Sequence, residues 1–468
     1  MITAMKTKST TTPTSSALRC LTVVVALIAS ACASSEPPPA SNADTTLNEE
    51  LAESEPVETA EASDVSSIDD SSSEELDDES ELDVATEDDP SDGEEATAES
   101  IFFPELCSAE PVVSGSRVDI QSSGNRIAPG SLNFADIDEF EVELPDAAVW
   151  VTADPSVTGG WYVVLERGSA VRVSADGVVT SANGPAATPP ELDAEGNPQS
   201  PFRFHELFAD PIDDGRVIFA DSIAAVLSAP TGFYAHGVLG DALEAAAIEW
   251  VDTCTGETGR IDIAEPDVIE GIAPILADID RDGQMEIVVT LSNSDGGARL
   301  AAFELDGTTA GESDPIGQGN RWRNPLAAGA FGPEGEIEII DVRTPHIGGT
   351  VQAFRQIIDP ETGPTLAQVA ASDPSYTSHV IGTRNLSMGV AVDLDADNFP
   401  DVLVATADLR TISALTRTSD VDAVLPGWNI IGERELTNGL TSNIATQEPS
   451  AGRSAVAIGD GNILRIWN

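Results

Sequence analysis

The stretch IAPILADIDRDGQMEIVVTL, Ile272 to Leu291, decides how this chain folds. Asp278, Asp280 and Asp282 alternate, Gly283 follows, Glu286 closes the loop, and apolar, strand-like runs flank it. Alternating carboxylates on a tight loop can converge their oxygens on one hard cation, and glycine permits the sharp turn that brings them together. The pattern recurs in LSMGVAVDLDADNFPDVLVAT, Leu386 to Thr406, as Asp393, Asp395, Asp397, Asn398 and Asp401. Two copies in similar settings predict a repeat architecture clipped by calcium.

An EF-hand is excluded. That loop needs a bidentate carboxylate at its twelfth position and a helix on each side. The twelfth residues here are Val289 and Val404, and neither binds a cation. The last carboxylate falls at position nine and β-rich apolar sequence follows at once, so the loop joins two strands. On these residues the chain resembles the FG-GAP/VCBS repeat family, whose blades, best known from integrin α subunits, carry a DxDxDGxxD-type calcium loop between their first two strands. Glu286 stands where the family has a final Asp, and Asn398 where it has Gly. Glu still supplies oxygen and Asn tolerates the left-handed conformation. The resemblance implies calcium at both loops. Its expected ligands are Asp278, Asp280, Asp282, the Gln284 carbonyl and Glu286 in one loop, and Asp393, Asp395, Asp397, the Phe399 carbonyl and Asp401 in the other.

Other stretches read as degraded copies. In Arg323 to Val342, aligned on Gly335, the ligand positions read Ala330, Gly332 and Glu334, so that blade is expected to bind no calcium. Gly232 to Val251 and Ser454 to Asn468 keep a strand-loop-strand rhythm without the carboxylates, and Leu207 to Asp221 keeps Asp213, Asp214 and Gly215. Asp176-Gly177 inside Trp161 to Ala182 is a hairpin signal. Short strands punctuated by Gly, Asp, Asn and Pro, with no long helical periodicity, predict an all-β protein. At roughly 40–50 residues per four-stranded blade, residues 106–468 make a β-propeller of seven blades, with six or eight also fitting. Such a ring closes by mixing strands from both chain ends. SGSRVDI, Ser114 to Ile120, is the expected partner of the final strand ILRIWN.

The N-terminus sets the compartment. Lys6, Lys8 and Arg19 precede the short apolar run Cys20 to Ser30, which is too short to span a bilayer and reads as a signal peptide over residues 1–31. Cys32 after small residues resembles a bacterial lipoprotein box, which implies lipidation at Cys32; Ala29-x-Ala31 also fits plain secretion. The expected location is the cell surface or a periplasm-facing membrane, lipid-anchored, with simple secretion as the alternative. From Glu36 to Glu105 there is no Lys or Arg, so residues 32–105 read as an acidic, disordered tether. The formal charge of −59 excludes nucleic acid as a partner, because phosphate would be repelled everywhere.

Export also bears on the cysteines. Cys107 and Cys254 remain after the signal and anchor positions, and an oxidising compartment suggests that they form a disulfide. His205, His236, His346 and His379 fall in no HExxH or HxH pattern, and neither a GxSxG elbow nor a phosphate loop occurs. The sequence therefore reads as a monomeric, non-catalytic, calcium-binding propeller that binds a protein or glycan partner. The membrane is reached only through the lipid anchor. The alternative is a secreted propeller enzyme acting on sugars, possessing a quinone cofactor or cleaving polysaccharide. Residues 163–177 and 203–221 resemble the early blades of PQQ-dependent sugar dehydrogenases, which would make His205 and Arg203 or Arg216 the groups for hydride abstraction and cofactor contact.

Overall fold

The computed structural model describes residues 133–182, 190–192, 196–200, 204–234, 236–394, 397, 399–419, 427–447 and 454–468. The signal segment, the tether, Cys32, Cys107, the stretch 114–120, Arg203, Asp395 and Asn398 lie outside them. Among the described residues there is no α-helix, only three short 3-10 turns.

The chain is a β-propeller. Its described residues form six antiparallel four-stranded blades. Blade one holds Ala148–Asp154, Gly160–Leu165, Ala170–Val173 and Val179–Ala182. Blade two holds Ile218–Ala220, Ile223–Thr231, Glu244–Asp252 and Thr258–Asp262, and blade three Ile275–Ala277, Glu286–Ser292, Arg299–Phe303 and Thr309–Glu312. Blade four holds Arg323–Gly329, Glu338–Arg343, Thr350–Asp359 and Gly363–Ala371, and blade five Gly389–Val392, Asp401–Thr406, Thr411–Arg417 and Trp428–Glu435. Blade six takes Leu440–Gln447, Ala455–Asp460 and Ile463–Trp467 from the C-terminus and Glu139–Glu143 from the N-terminal side. The first strands touch around the ring, from blade two through blade six to blade one. Between blades one and two the Arg216 guanidinium lies 5.5 Å from the Trp150 ring centre.

The count is one below the seven expected from length. Blade two is reached only at Ile218 after a long connection from Ala182, and the third and fourth strands of blade four form an extended hairpin, so blades are not of uniform length. The closing strand also differs from the expected one. Glu139–Glu143 pairs with Ile463–Trp467, from Glu139 opposite Trp467 to Glu143 opposite Ile463. Gly232–Val251 is the connection after the second strand of blade two plus its third strand, and Ser454–Asn468 is the second and third strands of blade six. The Asp176-Gly177 turn joins the third and fourth strands of blade one as expected. Gly177 has φ +83°, and a Cβ there would sit 2.4 Å from the Phe140 ring of the closing strand.

Each apolar core lies between neighbouring blades, which is why strands buried on both faces read as runs of Val, Ile and Ala. Ile275, Ala277, Val288 and Leu300 pack on Ala328, Ile339 and Phe354 of the next blade. Leu326, Ile340, Val342 and Val351 pack on Val402, Val404 and Leu415. Polar side chains stitch the closure. Asn443 of blade six accepts from Val151 N at 2.8 Å and donates to Val151 O at 2.9 Å. Arg465 donates to Glu139 at 2.6 Å and to the fully buried Asp460 at 2.8 Å. Val268–Ile269 pairs with blade two on one side and blade three on the other, fusing the two into one nine-stranded sheet.

Candidate functional site

The two acidic loops join the first and second strands of blades three and five, and blade four carries a third loop of the same length. The strand register fixes their ends: Ala277 opposite Glu286, Gly329 opposite Glu338 and Val392 opposite Asp401. The position-nine carboxylate therefore opens the second strand in all three blades. It sits against apolar neighbours, where an uncompensated charge is costly.

In blade three, oxygens of Asp278, Asp280 and Glu286 lie within 4.8 Å of one another. Glu286 is fully buried. One of its oxygens accepts from Ile279 N at 2.7 Å; the other, Oε1, is buried without a donor, as is Asp278 Oδ1. Burial, then the nearby Glu304, Asp280 and Asp278, push the Glu286 carboxyl up to about 8. The loop itself is held by its own amides. Asp282 N donates to Asp280 at 3.0 Å, Gly283 N to Asp278 at 3.1 Å, and Gln284 N to Asp282 at 2.8 Å. Gly283 has φ +90° and Gly335, at the same loop position in blade four, +83°, a backbone region that costs glycine little. Asp282 is outside the converging trio and spends its oxygens on Gln284.

In blade five, Leu394 N donates to Asp401 at 3.2 Å, the counterpart of the Ile279–Glu286 bond. Asp397 accepts from Phe399 N at 2.8 Å, and Asp397, Phe399 and Asp401 are buried. Asp393 precedes the loop turn, and Asp395 lies outside the described residues.

Blade four solves the same problem with guanidinium groups. Glu338 is fully buried. It accepts from Arg355 at 2.6 Å and from Arg417 of blade five at 2.7 Å. Arg355 also pairs with Glu336 at 2.9 Å. The three loops touch in series: the Arg281 guanidinium donates to Gly335 O, and Gly335 abuts the Phe399 ring, 3.3 Å from where its Cβ would stand.

A second cluster lies at the other end of the strands, where second-to-third strand loops meet the chain entering each blade. His236 Nδ1 donates to Glu270 at 2.5 Å, and Ser292 also donates to Glu270. His379 Nε2 donates to Thr383 O at 2.7 Å, which leaves its Nδ1 to accept from His346 Nε2 at 2.6 Å. Trp322 stacks on His346 with centroids 5.8 Å apart. Arg384 pairs with Asp214 at 2.6 Å and Asp241 at 2.5 Å, tying the blade-five entry to blade two across the ring. Burial, then Glu270, Asp241 and Asp214, push the buried Glu244 up to about 9. Burial, then His379 and His236, push His346 down to about 4. The three histidines come from loops of blades two, four and five, so no sequence spacing announces them.

The remaining sequence candidates fall elsewhere. His205 bonds Gly215 O at 2.5 Å within the segment leading into blade two, and Arg216 is held over Trp150 at the seam between blades one and two. Cys254 is disulfide-bonded; Cys107 lies outside the described residues.

No protein-family model and no curated protein matches the sequence. Among solved structures, the chain is similar to BamB from Moraxella catarrhalis at 14% identity, covering 69% of this chain and 85% of that one, with a TM-score of 0.32. It is also similar to an auxiliary nutrient binding protein from Bacteroides thetaiotaomicron, at 10% identity over 69% of each chain and a TM-score of 0.32. The propeller of Dos1 matches at 7% identity over 69% of this chain and 78% of that one, with a TM-score of 0.29.

Proposed function

We propose that this chain is a non-catalytic, calcium-stabilised propeller that binds a partner through the loops at the end away from its calcium sites. The observation that carries the calcium reading is Glu286, fully buried, with one oxygen lacking a donor and aimed among Asp278 and Asp280. A hard divalent cation supplies the missing positive charge, and an all-oxygen, irregular donor set suits calcium. The second site is held by Asp393, Asp395, Asp397, the Phe399 carbonyl and Asp401. Export and a lipid anchor at Cys32 complete the reading, which places the propeller at the cell surface on its acidic tether.

The partner face is supported by exposed apolar side chains. Phe233 and Leu243 (each 55% exposed), Ile347 (78%) and Ile381 (63%) all stand on the loops around the histidine cluster. Large apolar groups left in water on one set of loops mark interaction surfaces. Aliphatic side chains predominate over flat rings there, which favours a protein over a glycan. The calcium loops act from the opposite end by stiffening blades three to five, so that the binding loops need less ordering on contact.

The test is thermal melting of the full chain in EDTA and in excess calcium. Native-state binding at a hundredfold excess over the dissociation constant adds about 2.7 kcal/mol per site, so the midpoint rises with calcium. The rise disappears in the Asp280→Ala/Asp395→Ala double variant. Identical midpoints for the wild type in both buffers would sink the metal reading. The anchor is checked on the same preparations: Cys32→Ser leaves the detergent phase, whereas an unmodified mature Cys32 by mass spectrometry means plain secretion.

A further inference from the structure

We infer that Glu304 is a further cation ligand at the blade-three site, joining Asp278, Asp280 and Glu286. The inference rests on the calcium reading above and adds a residue that lies outside the loop motif, at the end of the blade's third strand.

The argument is one of register. Ile287 pairs with Phe303, so Glu304 stands directly opposite Glu286. Two carboxylates facing each other across an antiparallel pair repel. The same position in blade four follows from Ile339 opposite Phe354: it is Arg355, which ion-pairs with Glu338. In blade five it follows from Val402 opposite Leu415, and it is Thr416. One buried carboxylate thus has three different cross-strand neighbours: a carboxylate, a guanidinium and a hydroxyl.

A cation could also reach Glu286 from the next blade, as Arg417 reaches Glu338. The residue one step beyond Arg355 in blade four, where Arg417 stands beyond Thr416 in blade five, is Gln356, and its amide donates to Ala310 O instead. Arg281, within the loop, is turned away to Gly335 O. Glu304 is nevertheless close to the site, since Asp280 and Asp282 act on it and its carboxyl reaches that of Glu286. Blade three has an acidic group where blade four has its internal cation, around a carboxylate oxygen without a donor. A divalent ion bound between Glu286 and Glu304 removes both defects. Adding a charged oxygen ligand is the usual means by which such sites raise calcium affinity.

The experiment is calorimetric titration of the chelator-stripped full chain with calcium chloride, for the wild type, Glu304→Gln, Asp280→Ala and Asp401→Asn. The expected wild-type isotherm shows two bound ions, one for each acidic loop. Glu304→Gln weakens the blade-three site about tenfold and spares the blade-five site. Asp280→Ala abolishes the blade-three site, and Asp401→Asn affects only the blade-five site. Glu304→Arg, copying blade four, takes up one ion fewer and melts above the wild type in EDTA. If Glu304→Gln binds like the wild type while Asp280→Ala loses a site, the role of Glu304 is refuted and the calcium reading stands. A wild type that takes up no calcium overturns both.

Discussion

At the scale of single residues, three neighbouring blades place the same buried carboxylate at the same register and neutralise it differently. Blade four is the self-sufficient case, because Arg355 and Arg417 supply the positive charge covalently. Removing one partner of a buried, hydrogen-bonded pair leaves a charge that water cannot reach. Arg417→Met is therefore expected to lower stability by about 3 kcal/mol in denaturant unfolding. Arg417→Met combined with Glu338→Gln should cost less than Arg417→Met alone, since the stranded charge goes with it. A double variant as unstable as the sum of the singles would mean that packing, and not the charge pair, dominates there. Unlike the response of blade three, this loss should be indifferent to calcium.

At the scale of elements, the ring depends on one short strand. Glu139–Glu143 completes blade six on the outside of Ile463–Trp467, with Arg465 and Arg434 both reaching Glu139. A chain ending at Asn462 loses the strand that this segment pairs with, and it exposes Ala457 and Ile458 of the strand before it. That truncation is expected to melt over a broad range at lower temperature and to be cleaved faster by protease; a sharp, unshifted transition would show that closure contributes little. The strand was hard to see in the sequence for a physical reason. Only Val142 of Glu139–Glu143 is buried and Glu stands at every second position, so the segment reads as polar. The two acidic loops and their flanking strands were legible because loop chemistry and strand burial are both local. Glu338 and Glu304 were not. Glu338 was hidden by the lost aspartates before it, and Glu304 is brought to its place by pairing between strands. The histidine cluster was hidden further still, since its members meet only when blades two, four and five close around one axis.

At the scale of the whole molecule, that cluster links distant loops, and its titration should be felt as fold stability. His346 takes a proton near 6.5 in the unfolded chain and only near about 4 in the fold. The unfolded state therefore binds more protons between these values, and stability falls as pH drops through that window. Glu244 has the opposite sign. It keeps its proton to about 9 in the fold and releases it near 4.5 when unfolded, so its contribution falls as pH rises across that range. With calcium saturating, His346→Gln should remove a fall in melting temperature on acidification from 6.5 to about 4, and Glu244→Gln a decline on raising pH from 4.5 to about 9. Unchanged pH profiles in both variants would remove these groups from the account.

The dipeptide Val268–Ile269 has a mechanical consequence for the assembled ring. Hydrogen bonds on both of its sides weld two blades into one plate, so the described ring has five joints to flex at instead of six. Among the described residues, the joint between blades one and two is held by side chains such as Arg216 and Trp150, with no bridging strand of this kind. Breathing of the ring is thereby steered away from one side and toward the other. The welded plate includes the acidic loop of blade three, so a cation bound there would brace a double-width body, and its stiffness would extend to the blade-two loop that carries Phe233 and Leu243.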